Sequence, residues 1–377
     1  MTKRPDVVIL GGGVIGLTTA YFLAKDGASV LVLDKGDMGR EASWAGAGIL
    51  PPGQTADAIT PFDRLRALSN DHFPGLSAEL REATGIDNGY RVCGGLEFFE
   101  QNEDSPAPPI DEWHGPGARA LPINADLYRG LEPAVSGSLG PAHHLPELAQ
   151  LRNPRHLQAL IAACARLRDA AGMPRIEFCP STTAYSLIRD GDRIDAIYTP
   201  QGMIEGGKYL IAAGAWTDAL LRPLGLSLPI EPVRGQIVLL NPGMPVIERV
   251  LLMGSRYLVP RIEGRVLVGS TEEYAGFDKR VTASAVQGLI EFATKLVPDL
   301  AHAAVEKTWS GLRPGNRSGL PYLGRLGEFS NLYVCAGHFR AGLHLSPASA
   351  LVMKQLLLDQ PTAIDLEPFA PPANGSA

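Results

Sequence analysis

Val7-Val8-Ile9-Leu10-Gly11-Gly12-Gly13-Val14-Ile15-Gly16 is the stretch on which the fold turns. Its first four residues are apolar without alternation, the pattern of a parallel strand buried on both faces. The G-x-G-x-x-G that follows has a physical job at each glycine. Gly11 allows a tight turn, Gly13 lets backbone approach a pyrophosphate, and Gly16 lets a helix pack close on the strand. Val14, Leu17, Tyr21 and Ala24 then recur at helical spacing. The start of such a helix offers unpaired N–H groups and a positive dipole end to phosphate. A second apolar strand, Ser29 to Leu33, ends in Asp34, where a carboxylate can accept hydrogen bonds from an adenosine ribose. Strand, glycines, helix, strand and acid in register predict a dinucleotide-binding unit, against the alternative of a glycine-rich structural turn.

The motif alone leaves NAD and FAD open. No second fingerprint follows, although a flavoprotein reduced by NAD(P)H would usually carry one. The chain continues instead into Gly39-Arg40-Glu41-Ala42-Ser43-Trp44-Ala45-Gly46-Ala47-Gly48-Ile49. Small residues on that scale suggest backbone pressed against a flat ligand; a helix contact made of small residues is the plainer reading. Both observations favour FAD.

Outward from this unit the reading is coarser. Pro51 to Pro61 is either a cover over a site or a linker. Residues 106–109 and 115–117 mark loops. Asn153 to Ala171 reads as a helix capped by Asn153 with Pro154 at its first position. Tyr209 to Gly214 reads as a strand returning to the nucleotide sheet, with Ala215-Trp216 opening a helix. Gln236–Leu240, Arg256–Pro260 and Arg265–Gly269 look like antiparallel strands, the last two joined at Glu263-Gly264. A helix near Ala285–Leu296 and a strand over Leu332–Ala336 follow. Ser346 and Pro347 suit the N-cap and first turn of a last helix. The expected architecture is α/β: a Rossmann-type parallel sheet with an inserted α+β domain carrying an antiparallel sheet. We place the discontinuous nucleotide domain at residues 1–85, 150–225 and 305–370, the inserted domain at 86–149 and 226–304, and a tail at 371–377.

Composition narrows the function. A chain of 377 residues supports two cores, and a net charge of −6 gives no footprint for nucleic acid. No apolar run is long enough to span a membrane, and Lys3-Arg4 before Val7–Leu10 lacks the form of a secretory signal, so a cytoplasmic protein is expected. The four cysteines show no metal or disulfide spacing. His143-His144, beside Pro141 and Pro146, reads as loop rather than metal site.

Near the C-terminus stand Trp309-Ser310-Gly311-Leu312-Arg313-Pro314-Gly315 and Ala336-Gly337-His338-Phe339-Arg340-Ala341-Gly342-Leu343-His344. With Gly214-Ala215-Trp216, Pro232–Gln236, Arg256–Arg261 and the N-terminal unit, these resemble the glycine oxidases of the thiamine pathway, in the D-amino acid oxidase and sarcosine oxidase group. The resemblance runs from Val7 to about Pro372. It implies a glutathione-reductase-like FAD domain, noncovalent FAD, and oxidation of glycine, sarcosine and small D-amino acids to the imine or 2-oxo acid. Molecular oxygen would be the acceptor, with release of hydrogen peroxide. It further implies a homotetramer and thiazole synthase as a downstream partner. By position, Arg313 matches the residue that pairs with the substrate carboxylate, Arg340 a second substrate-side residue, and Tyr257 the tyrosine over the site. Val14-Ile15, Asp34-Lys35, Ala42-Ser43 and Ala47-Gly48-Ile49 match adenosine and pyrophosphate contacts. Ala184 matches a backbone contact from a middle strand, and His338 to His344 the loop along the flavin. Ala341 and His344 depart from the family pattern, which commonly has Asn and an aliphatic residue there.

Arginine's planar fork suits a carboxylate, which lysine cannot grip bidentately; a surface ion pair is the plain alternative for Arg313 and Arg340. Tyr257 could equally be a core tyrosine. No catalytic base is required if the amine binds neutral and hydride passes directly from Cα to the flavin. A quinone-linked D-amino acid or sarcosine dehydrogenase, a flavin-binding subunit without turnover, and a flavin tethered at Cys335 are the competing readings.

Overall fold

The structure is a computed structural model describing residues 4–99 and 113–372. The expected loop at residues 106–109 and the end of the tail lie outside the described residues.

Val7–Leu10 is the centre of a six-stranded sheet. Val30–Leu33 and Ile176–Cys179 add in parallel on one side, Lys208–Ile211 and Leu332–Ala336 on the other. Tyr322–Arg325 closes the edge antiparallel. Alternate residues of the central strand serve two cores. Val7 and Ile9 face a helical layer containing Leu17, Leu160 and Val352. Val8 and Leu10 face the meander Ser186–Glu205 through Leu187, Ile194 and Ile197. Burial on both faces is why the strand is apolar without alternation.

The second sheet has eight strands. Its long members, Ile230–Asn241 and Ala304–Asn316, pair antiparallel along nearly their full length. Val266–Gly269, Arg256–Pro260 and Val250–Met253 continue the sheet. One parallel pairing, Val250–Met253 with Gly95–Phe98, makes it mixed. Val238, Leu258 and Val268 pack with Leu289, Phe292 and Leu296 of the helix Ala283–Leu296 on the outer face. Ile237, Tyr257, Val259 and Leu267 form a second cluster with Ala47 and Trp113 on the inner face. Because side chains alternate along a strand, this parity decides which residues look toward the first sheet.

Several local expectations are corrected. The helix from Asn153 ends at Cys164, and Asn153 is its first residue rather than its cap; its side-chain amide donates to the Ser43 carbonyl instead (2.8 Å). Ser346 likewise lies inside its helix, Ser346–Leu357. Its hydroxyl donates back to the Leu343 carbonyl (2.8 Å), while Ser69 accepts from the Ala348 amide (3.2 Å). His143 and His144 belong to the strand Ala142–Leu145, paired across to Gly95–Phe98. Ala184 sits in the loop before Ser186–Asp190, not in a strand. The helix Pro61–Thr84, the longest among the described residues at 24 residues, went unforeseen. Thr60 and Asp63 cap each other at its start, and Gly85 ends it at φ 76°.

Candidate active site

A cavity of about 1130 Å³ lies between the two sheets. Gly11, Gly13, Val14 and Ile15 line it where the first strand meets the first helix. A Cβ on Gly11 would stand 2.2 Å from the Ala212 carbonyl oxygen, and its φ is +118°, so only glycine fits. Gly16 is off the wall: a Cβ there would meet Gly11 O at 1.9 Å, so it serves helix packing alone. Ser43 Oγ accepts from the Val14 amide (2.9 Å), and the next amides of the helix have no intrahelical acceptor.

Asp34 and Lys35 line the same end. Asp34 already accepts from the amides of Gly12 (2.8 Å) and Gly36 (2.9 Å), one at each oxygen. Burial raises its pKa, against the lowering by those two amides. Lys35 Nζ lies 3.3 Å from the centre of the Trp216 ring, itself stacked on Phe277. Ala184 is part of this end of the wall.

Ala42, Ser43, Ala47, Gly48 and Ile49 run along the cavity. Their smallness also has a protein-side cause. Cβ atoms on Gly46 and Gly48 would meet Asn153 Nδ2 at 2.7 Å and Leu151 O at 2.0 Å, so these glycines are pressed on their neighbours. Arg261 donates to Ala47 O (2.8 Å) and Leu151 O (3.1 Å), fixing this wall to the second sheet.

At the far end Arg313 and Tyr257 project from the inner face of the second sheet. Arg313 donates from Nη1 to Thr271 O (3.1 Å) and from Nη2 to Ser270 Oγ (2.5 Å). Its guanidinium lies on Gly235, where a Cβ would come within 2.3 Å of Nη2. Burial lowers its pKa; Tyr257 and Glu272 oppose that, and Arg340 reinforces it. Tyr257 is paired in register with Gly269, whose missing side chain makes room for the ring. Trp113 meets that ring edge-on at 6.1 Å and donates from its indole to Gly254 O (3.0 Å).

The loop His338 to His344 closes the cavity, with Phe339, Ala341, Gly342 and Leu343 all on the wall. Phe339 has φ +48°, a conformation rare for a bulky residue, held by its amide donating to Pro314 O (3.1 Å). Arg340, next in the chain, forms an ion pair with Glu272. His338 Nε2 is 3.0 Å from Ser349 Oγ. His344 Nε2 is 2.8 Å from Asn70 Oδ1, while Asn70 Nδ2 donates to Pro51 O and Gly53 O (3.2 Å each). Asn70 therefore accepts from His344, whose proton sits on Nε2. Burial pushes both histidines down to about 3, so they are neutral.

The sequence reading missed Glu272, Ser270, Trp113 and Arg66. Arg66, buried over the Phe62 ring, is a further arginine on the wall. It joins Arg313 and Arg340, the two arginines that the resemblance assigns there. Cys335 touches the cavity from within its strand, but burial raises its thiol far above the usual range, against a thiolate tether. Among the described residues no cluster of His, Cys, Asp and Glu could hold a metal, and no helix is long and apolar enough to cross a membrane.

A glycine-lined helix start, a ribose-side acid and a long channel leading to a half-buried arginine fit a dinucleotide with a second ligand beyond it. The chain belongs to the FAD dependent oxidoreductase family, whose model matches residues 6–356; it is an FAD-dependent oxidoreductase. It is 37% identical to a glycine oxidase of Pseudomonas aeruginosa over 98% of this chain and 99% of that one. The crystal structure of glycine oxidase from Geobacillus kaustophilus superposes with a TM-score of 0.87 at 32% identity, covering 98% and 99% of the two chains. A bifunctional protein ThiO/ThiG of Synechocystis is 30% identical over 98% of this chain, which spans 54% of that protein.

Proposed function

We propose that this protein is a glycine oxidase, converting glycine and other small amines to the imine with oxygen as acceptor and hydrogen peroxide as product. The observation that carries this reading is Arg313, a half-buried arginine at the end of a channel shaped for FAD. Gly11, Gly13, Val14 and Ile15 would hold the pyrophosphate, and Asp34 the ribose. The segments Ala42–Ile49 and His338–His344 would flank the ring. FAD, when bound, supplies the acceptor for two electrons and a proton from the substrate carbon.

The chain's own contribution is position and field. Ser270 and Thr271 hold Arg313 from one side and Gly235 supports its plane, leaving the remaining donors to grip a carboxylate. Tyr257 and Trp113 wall off water above the amino acid. Burial holds His338 and His344 at about 3, too low for either ring to keep a proton taken from the substrate, so neither serves as a base. This favours a substrate that binds with its amine already neutral.

The reading includes noncovalent FAD, a cytoplasmic location and a homotetramer. The Synechocystis fusion supports a downstream partner that consumes the oxidised product, with thiazole synthase as that partner and thiamine synthesis as its setting. Anaerobic mixing of the purified yellow protein with glycine, sarcosine, D-alanine and D-proline tests the substrate. Glycine should bleach the flavin, and readmitted oxygen should restore it with peroxide release. Bleaching by none of the four would overturn the reading; bleaching restored by a quinone but not by oxygen would make the protein a dehydrogenase.

A further inference from the structure

Glu272 stands on the segment that leaves the second sheet after Gly269, and its position is fixed by its neighbours. Glu273 bridges Arg234 through backbone bonds in both directions and accepts from Arg234, Gln236 and Thr271 side chains. On extended backbone the adjacent side chain faces the other way, which turns Glu272 from Arg234 toward the cavity wall, where it meets Arg340. Arg340 is set by the left-handed turn at Phe339, and its guanidinium lies 5.5 Å from the Phe339 ring centre. The wall that carries Arg313 therefore also carries a paired arginine and carboxylate, Arg340 and Glu272.

We propose that Glu272 determines specificity: by neutralising Arg340 it leaves a net single positive charge at Arg313, matched to one carboxylate, and so excludes amino acids bearing a second. This rests on the amine-oxidase reading above. A dicarboxylate would have to displace Glu272 from Arg340 and then lie beside its negative charge. Like charges juxtaposed at a recognition site are a standard means of rejecting a wrong ligand. Glycine, with no side chain, meets neither cost.

The test compares the FAD-loaded wild type with Glu272→Gln, which keeps size and a hydrogen-bonding end but removes the charge. The ratio of kcat/KM for D-aspartate to that for glycine should rise about tenfold or more, chiefly through KM for D-aspartate. Adding Arg340→Gln should abolish the gain. A ratio unchanged by Glu272→Gln, with glycine still oxidised, overturns the proposal. A second measurement needs no variant and no turnover: titrating wild-type flavin absorbance with acetate and with malonate. Malonate should bind no tighter than acetate; binding tenfold or more tighter refutes the exclusion. A wild type that ignores glycine yet binds acetate over malonate would sink the glycine reading and leave this one standing.

Discussion

Replacing Arg313 by lysine tests the site most directly. Two guanidinium donors are committed to Thr271 O and Ser270 Oγ, and the plane rests on Gly235. Five donors in a rigid fork leave three for the substrate. A lysine ammonium has three in all and cannot satisfy the wall and a carboxylate bidentately at once. The loss of such a pair inside a site is about 2–5 kcal/mol. At about 1.4 kcal/mol per factor of ten, KM for glycine should rise roughly 30-fold to several thousand-fold. Peroxide release against glycine concentration measures it, and the flavin spectrum checks that FAD is retained. A KM within about threefold of wild type, in yellow protein, would refute Arg313 as the anchor.

Gly11→Ala places a Cβ 2.2 Å from the Ala212 carbonyl at a φ of +118°; the variant should purify largely colourless, and full FAD content would count against the assigned phosphate end. Gly269→Ala drives a methyl to 2.4 Å from the Tyr257 ring. It should lower stability by about 1–3 kcal/mol and activity with it while FAD stays bound, and normal kinetics would show the ring to be passive. His338 and His344 bind protons only near 3 when folded, against 6.5 ordinarily. The unfolded chain thus takes up more protons across that window, and the stability of keeping them neutral is lost as pH falls through it. The melting temperature of the FAD-loaded protein should fall between about pH 7 and about pH 5, and less so in His344→Gln; parallel curves would exclude His344 as a contributor.

The nucleotide end was readable because its demands are local. A strand buried on both faces, glycines where backbone must approach, and an acid at the next strand end leave marks within a few dozen residues. Arg313, Arg340 and Tyr257 were found by resemblance alone, since nothing in their neighbours says they share a cavity. Glu272 was invisible because its role comes from a contact with Arg340, far along the chain. The helix Pro61–Thr84 had a signal in Thr60-Pro61-Phe62-Asp63, a capping pattern ahead of a proline start. Pro74 in its interior and the proline-rich approach hid it. Asn153 and Ser346 were misplaced by one position because each side chain donates to a carbonyl outside its helix, that of Ser43 across the fold or that of Leu343 three residues back, in place of accepting from its own helix amides.

The alternation of the second sheet bears on how such a site can change over generations. Trp309, Gly311 and Arg313 share a face with Ile237, Gly235 and Val233 opposite them. Deleting one residue between Trp309 and Arg313 would turn Arg313 outward and bring an apolar neighbour into its place. Point substitutions can therefore retune this pocket one side chain at a time, whereas a single-codon insertion or deletion in that strand erases the anchor at a stroke. Length variation is tolerable only where the chain leaves the sheet, as in the segment after Gly269 that carries Glu272. New substrate preferences in this lineage should arise there first, written in loops whose length is free to drift.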